Sequence, residues 1–168
     1  MKANKRRTAI HEAGHVVAML RHCVEYGYAT IAQDDDSAGH VLTHGKADNP
    51  ADAQGKAIGF CGGYAACLAA GYPEAQAIAG CGHDFNLASE IIDFWQLGSL
   101  ADWQAKAVEF MRKPENVHAG DLIAKHLLQH STLDTDYLKV LLGVADEGTP
   151  EAWAGFERYL ALRRSTHN

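Results

Sequence analysis

Residues 8–17 of the chain read TAIHEAGHVV, and they lie inside a proline-free run that extends over residues 4–23. Apolar side chains recur in this run at the spacing of one helical face: Ile10, Ala13, Val17 and Leu20. Such a period is typical of a helix, so we predict a helix over 4–23. It carries two histidines, His11 and His15, one turn apart.

The segment from His11 to His15 has the pattern H-E-x-x-H. Side chains four residues apart on a helix lie on the same face, so both imidazoles can reach one zinc ion at about 2.0–2.1 Å. Glu12 lies beside that face and can act as general base on a zinc-bound water, whose pKa the metal lowers to about 7. Gly14 is a poor helix former, which indicates a crowded place where a side chain would not fit. With ten histidines in the chain, the alternative is a chance match on an ordinary helix.

Two histidines leave the zinc shell incomplete, because a catalytic site takes three protein ligands and a water. The extended pattern H-E-x-x-H-x-x-G-x-x-H would place a third histidine at position 21, where this chain has Arg21. Three candidates lie near the start of a later predicted helix: Cys81, His83 and Asp84. Aspartate at such a position is most often a helix N-cap, so the residues alone leave the third ligand open.

The rest of the chain is predicted to be helical apart from one short hairpin. Strand character over 28–32 and 39–43 flanks a turn at 34–37. Asn49 and Pro50 have the residue types of a helix N-cap and first helical position. Helices are predicted over the following ranges: 50–70, 83–97, 100–112, 114–130, 134–146 and 150–164. We therefore expect a single domain, 1–168, that is mostly α with a small β-hairpin or sheet (α+β).

Two of these helices carry patterns that indicate how they pack. The predicted helix over 50–70 has three glycines close together: Gly59, Gly62 and Gly63. Glycine costs about 1 kcal/mol in a helix interior, so their presence predicts that another backbone packs very close. The helix over 83–97 has its apolar stripe at Leu87, Ile91 and Phe94.

Composition excludes several classes of function. With 47% hydrophobic residues, the chain has enough apolar material for a core. A formal charge of −6 argues against non-specific binding to nucleic acid or anionic lipid. No run of about 18 apolar residues is present, so we expect no membrane span. The four cysteines form no Cys-x-x-Cys pair and no secretory signal precedes them, so we predict buried free thiols and a cytoplasmic protein.

Several segments together resemble the peptidase domain of FtsH-type ATP-dependent zinc proteases. Residues 8–17 look like that family's peptidase helix, and Thr30-Ile31 with AGHV at 38–41 is similar to its strand pair. GGYAAC at 62–67 resembles its Gly-Gly helix, although Tyr64 and Cys67 replace the family's arginine and glutamate. GHDFNLASEI at 82–91 resembles the segment that supplies the family's third zinc ligand.

The resemblance implies a zinc metallopeptidase in which His11, His15 and Asp84 bind Zn²⁺ and Glu12 is the general base. It also implies that the edge strand near 39–43 aligns an extended substrate. The sequence has no counterpart of the family's ATPase module or membrane anchor. We therefore expect a peptide or unfolded-protein substrate, or a separate ATPase (unfoldase) partner that delivers it, and self-association into a homo-oligomer is a further expectation.

Two other functions stay open at this point. A non-catalytic metal-binding adaptor that retains the peptidase fold would fit the missing ATPase module and the altered Gly-Gly helix, but metal binding alone does not require Glu12. Hydrolysis of a non-peptide amide is the third reading. His126 and His130 also lie four apart, but no glutamate follows the first of them, and we interpret them as surface histidines.

Overall fold

The computed structural model describes residues 2–32, 39–43 and 46–166. It is mostly helical with one small antiparallel sheet, so the predicted fold class is confirmed. The predicted turn at 34–37 lies outside the described residues. The elements are α1 (Lys2–Arg21), β1 (Tyr26–Thr30), β2 (His40–Thr43), α2 (Pro50–Ala69), α3 (Glu74–Ala77), α4 (Gly82–Trp95), α5 (Leu100–Met111), α6 (Pro114–His130), β3 (Thr132–Asp134), α7 (Thr135–Glu147) and α8 (Pro150–Thr166).

Helices α1 and α2 cross at glycines, and this crossing is the centre of the molecule. A Cβ on Gly14 would overlap the carbonyl oxygen of Gly62 and would lie 2.5 Å from the Cβ of Ala66. Conversely, a Cβ on Gly62 would lie 2.5 Å from the carbonyl oxygen of Gly14. The prediction of a closely packed backbone is confirmed, and the crowding at Gly14 comes from this helix crossing.

The start of α2 follows the predicted capping. The Asn49 side chain accepts hydrogen bonds from the backbone N–H groups of Ala51 and Asp52, both at 3.0 Å, and Pro50 occupies the first turn. An N-cap of this kind satisfies donors that the helix itself leaves unpaired. The cap fixes the start of the helix on which α1, α4 and α5 pack.

The sheet has three strands in the order β2-β1-β3. Strand β1 begins two residues earlier than predicted, and β3 was not predicted at all. It has only three residues and runs straight into α7, whose N-cap is Asp134, so it is too short for an alternating pattern. Pairing is antiparallel on both sides of β1, with Ala29 opposite Val41 and Leu133. Within the described strands, β2 therefore lies at an edge of the sheet.

The predicted apolar stripe of α4 is wrong at one position. Phe94 is 80% exposed, whereas Ala88 and Ile92 are fully buried. Residues four apart share a helix face, so the buried face of α4 is the one that also carries Asp84. Because this face of α4 packs against the core, Phe94 on the other side of the helix is exposed to solvent.

The C-terminal helices contain a second correction. His126 is buried and not on the surface: its Nδ1 lies 2.8 Å from the hydroxyl of Tyr137, and its ring packs edge-on against Phe156. His130 is exposed, as predicted. None of the helices in the described part of the chain combines the length and apolar character needed to cross a membrane.

All four cysteines are free thiols, and three of them are buried: Cys61, Cys67 and Cys81. The fourth, Cys23, is exposed in the turn after α1, contrary to the prediction that the thiols are buried. Burial raises the pKa of the three buried thiols, to about 11 for Cys67 and about 12 for Cys61 and Cys81. Protonated thiols of this kind are poor nucleophiles.

Candidate metal centre

Helices α1 and α4 bring three predicted ligands to one point. His11 Nε2 and His15 Nε2 lie 3.0 Å apart. The Oδ2 atom of Asp84 lies 3.2 Å from the first and 3.3 Å from the second. Among the described residues, these three form the group that could hold a metal ion.

The triangle has the size that a tetrahedral zinc site requires. Ligand atoms bonded to zinc at 2.0–2.1 Å in tetrahedral geometry lie about 3.3–3.4 Å from one another. The three observed separations, 3.0, 3.2 and 3.3 Å, are close to that value. Two imidazoles and one carboxylate are also a usual donor set for catalytic zinc. The residues present therefore fit this metal.

The ring of His15 is oriented by the neighbouring helix. Its Nδ1–H donates to the backbone carbonyl oxygen of Gly59 on α2, at 2.8 Å. In the neutral imidazole, a hydrogen bond from Nδ1–H fixes the tautomer in which Nε2 carries the lone pair, which is the form that binds a metal. His15 is 97% buried, so this arrangement is held rigidly.

Gly63 makes room for both imidazoles. A Cβ at this position would lie 2.6 Å from both His11 Cε1 and His15 Nε2. Contacts under 3.0 Å force atoms to move, so any larger residue on α2 would displace the rings. The Gly-Gly pair therefore has two separate functions in packing: Gly62 admits the backbone of α1, and Gly63 admits its histidines.

We expect Gly63→Ala to lower zinc affinity by about 10–100-fold, the effect typical of changes that misorient ligands. The added methyl group would push the imidazoles away from their common point, while the fold survives. Affinity is measured by competition with a chromophoric chelator, and folding by circular dichroism. Gly120→Ala is the matched control, because its Cβ would meet only Met111 Cε at 3.8 Å. Equal affinity in the two variants would contradict this account of Gly63.

The aspartate is delivered by the start of α4. The N-cap of this helix is Cys81, with no side-chain capping bond, so the interpretation of Asp84 as an N-cap is wrong. Asp84 lies in the first turn and its carboxylate faces the histidines. Of the rival ligands, His83 is exposed, and Cys81 faces Nδ1 of His11, the ring nitrogen opposite to the one in the triangle.

Arg7 fixes the segment that precedes α4. One of its guanidinium nitrogens donates to the carbonyl oxygens of Gln76 and Ala79, at 2.8 and 2.7 Å. Arg7 lies one turn before His11 on α1, so the same helix holds both sides of the triangle. Sequence reasoning missed this residue, since a basic residue near the N-terminus carries no pattern that links it to a loop so far along the chain.

Glu12 lies at the same site with an unusual environment. It is 97% buried, and its Oε2 atom has no hydrogen-bond partner in the described part of the chain. Burial raises the pKa of Glu12 to about 7, with the charge of His15 acting against the rise and that of Asp84 adding to it. A carboxylate with a free oxygen and a pKa near neutrality can both take up and release a proton.

The electrostatics of the triangle favour a negative Asp84. Burial alone would raise the pKa of this carboxyl, but the charge of His15 and hydrogen bonds from both histidines hold the pKa well below its usual range. Burial likewise opposes protonation of His15, but Asp84 outweighs it and raises the pKa of His15 to about 9. The histidines and the carboxylate thus attract one another strongly, and a bound cation would replace the shared proton.

Comparison with known proteins added nothing to this picture: no protein-family model matches the chain, and no curated protein matches it. The resemblance to FtsH-type peptidases accordingly stays a prediction from the motifs quoted above.

Proposed function

We propose that this chain is a zinc-dependent peptidase that hydrolyses short or unfolded polypeptides. The observation that carries the proposal is the convergence of His11, His15 and Asp84 on one point, next to a buried Glu12 with an unpartnered oxygen. A buried carboxylate oxygen without a hydrogen-bond partner destabilises the folded state. Its presence at this place therefore favours a role in catalysis.

In this proposal His11 and His15 would hold the ion through Nε2, and Asp84 would hold it through Oδ2. A bound zinc ion would supply Lewis acidity, which polarises a scissile carbonyl and acidifies water. Glu12 takes a proton from the attacking water through Oε2 and returns it to the leaving amine. Burial raises the pKa of Glu12, which favours uptake of this proton.

The sheet suggests how a substrate is aligned. The backbone at Gly39, just before β2, passes close to Glu12: a Cβ there would lie 3.0 Å from Oε1. A peptide that pairs with β2 as an added strand would run beside this carboxylate. Pairing through the main chain leaves the substrate's side chains largely unread, which fits a broad preference for unfolded polypeptides. A partner that unfolds and delivers substrates remains part of the proposal.

The test begins with metal and ligand. We expect the purified protein to bind one zinc ion and to cleave an unfolded fluorogenic protein such as labelled casein. Asp84→Asn is expected to lower zinc affinity by more than about 100-fold, since it removes a direct ligand where outer-shell changes cost 10–100-fold. Asp93→Asn, an exposed aspartate on the same helix, is the control and is expected to change neither property.

Three outcomes would redirect the proposal. Equal zinc affinity of Asp84→Asn and Asp93→Asn would remove Asp84 from the site. Two histidines and a carboxylate also suit Fe(II), so metal analysis that finds iron would change the chemistry. Full zinc occupancy without hydrolysis across a broad peptide library would favour the metal-binding adaptor.

A further inference from the structure

The two histidines of the triangle need partners at their second ring nitrogen. A neutral imidazole that binds a metal through Nε2 carries its proton on Nδ1, and such ligands nearly always donate that proton to an outer group. For His15 the acceptor is the carbonyl oxygen of Gly59. For His11 the neighbour at Nδ1 is the sulfur of Cys81, at 4.0 Å.

The thiol of Cys81 is oriented for this contact. Cys81 is 99% buried, and its S–H donates to the carbonyl oxygen of Ala77 at 3.2 Å. With its hydrogen directed to Ala77, the sulfur presents lone pairs to other donors. As the N-cap of α4, Cys81 makes no side-chain capping bond, so its thiol is not committed to the helix end.

Cys81 also connects the two halves of the site. It lies three residues before Asp84 and two residues after Ala79, whose carbonyl oxygen accepts a hydrogen bond from Arg7 of α1. Cys81 therefore contacts the His11 ring and also begins the helix that carries the Asp84 carboxylate.

We propose that Cys81 is a positioning residue of the metal centre: its sulfur accepts the Nδ1–H of His11 and keeps Nε2 available for the ion. This inference rests on the proposed metal centre and not on peptidase activity. It assigns Cys81 an outer role, in contrast to direct coordination by its sulfur.

The experiment measures metal affinity in variants of the full chain, with zinc alone as the probe. Cys81→Ala is expected to bind zinc about 10–100-fold more weakly, the range for loss of an outer-shell partner. Cys81→Ser keeps an acceptor and is expected to recover at least part of the loss. Cys61→Ala removes an equally buried thiol and is expected to leave affinity unchanged.

A second measurement separates an outer role from coordination. Co²⁺ loaded into the wild-type protein is expected to lack an intense near-ultraviolet thiolate-to-cobalt band. A band present in the wild type and lost in Cys81→Ala would make Cys81 a ligand and overturn the inference. Unchanged affinity in Cys81→Ala, or a folded Cys81→Ser as weak as the alanine variant, would overturn it as well.

The outcome for Cys81 can be told apart from the outcome for the proposed function. A wild-type protein that binds no metal would remove both proposals. Zinc binding with a Cys81 dependence, but without hydrolysis, would leave Cys81 in its role and reject the peptidase. Should Cys81→Ala fail to fold, Cys81→Ser and the cobalt spectrum of the wild type still decide the question.

Discussion

Glu12→Gln is expected to lower the rate of peptide cleavage by about 10²–10⁴-fold, the usual contribution of a positioned general base. The amide has nearly the same shape as the carboxylate but cannot take up a proton at neutral pH. Because Glu12 is not part of the triangle formed by His11, His15 and Asp84, zinc affinity is expected to stay within a few-fold of the wild type.

Three measurements together make this prediction specific. Cleavage of labelled casein gives the rate, chelator competition gives the zinc affinity, and chemical denaturation gives the free energy of unfolding. The last is expected to stay the same or rise, because the change replaces a buried carboxylate whose Oε2 lacks a partner among the described residues. Glu25→Gln, at an exposed site just after α1, is the control. Undiminished cleavage by Glu12→Gln would remove Glu12 from the reaction.

Gly14→Ala is expected to destabilise the whole fold by about 3 kcal/mol or more, at or above the upper end for overpacked cores. The new methyl group would overlap the carbonyl oxygen of Gly62 and the Cβ of Ala66. A backbone oxygen cannot rotate away, so α1 and α2 must move apart. The histidines on α1 would then lose their contacts with α2. A domain of this size has about 5–15 kcal/mol of stability in total, so the loss is a large share.

Urea denaturation measures this loss, with Gly143→Ala as the control. Gly143 lies in α7, and a Cβ there would meet nothing within 4 Å. That variant is expected to gain about 0.5–1 kcal/mol, since alanine is the better helix former. The double variant Gly14→Ala with Ala66→Gly still overlaps Gly62, so it is expected to stay destabilised. A Gly14→Ala protein as stable as the control would contradict the close helix crossing.

Local chemistry made part of the site predictable. The spacing of His11 and His15 places both imidazoles on one helix face whatever surrounds the helix, because four residues make about one turn. The glycines of α2 likewise predicted a closely packed neighbour, since the helix stability that they lose must be offset by close packing. The cap at Asn49 follows from residue types alone.

Residue types were not sufficient where the answer depended on how helices pack against one another. For Asp84 they left an N-cap and a metal ligand open, and only the resemblance named it a ligand; the cap is Cys81, and the Asp84 carboxylate faces the histidines. The predicted stripe on α4 was wrong at Phe94, which is exposed, whereas Ala88 and Ile92 are the fully buried positions. Strand β3 was not predicted because a strand of three residues is too short to show an alternating apolar pattern.

By itself, then, the sequence determined a helical domain, the helix that carries His11, Glu12 and His15, and the need for a third ligand from elsewhere. Residue types alone left that ligand open and the resemblance named Asp84, but only the tertiary structure brings its Oδ2 atom to 3.2 and 3.3 Å from the two imidazoles. The reason is physical: contacts within one helix follow from its own geometry, whereas the approach of Asp84 depends on the packing of α4 on α2 and on Arg7 holding the segment before it.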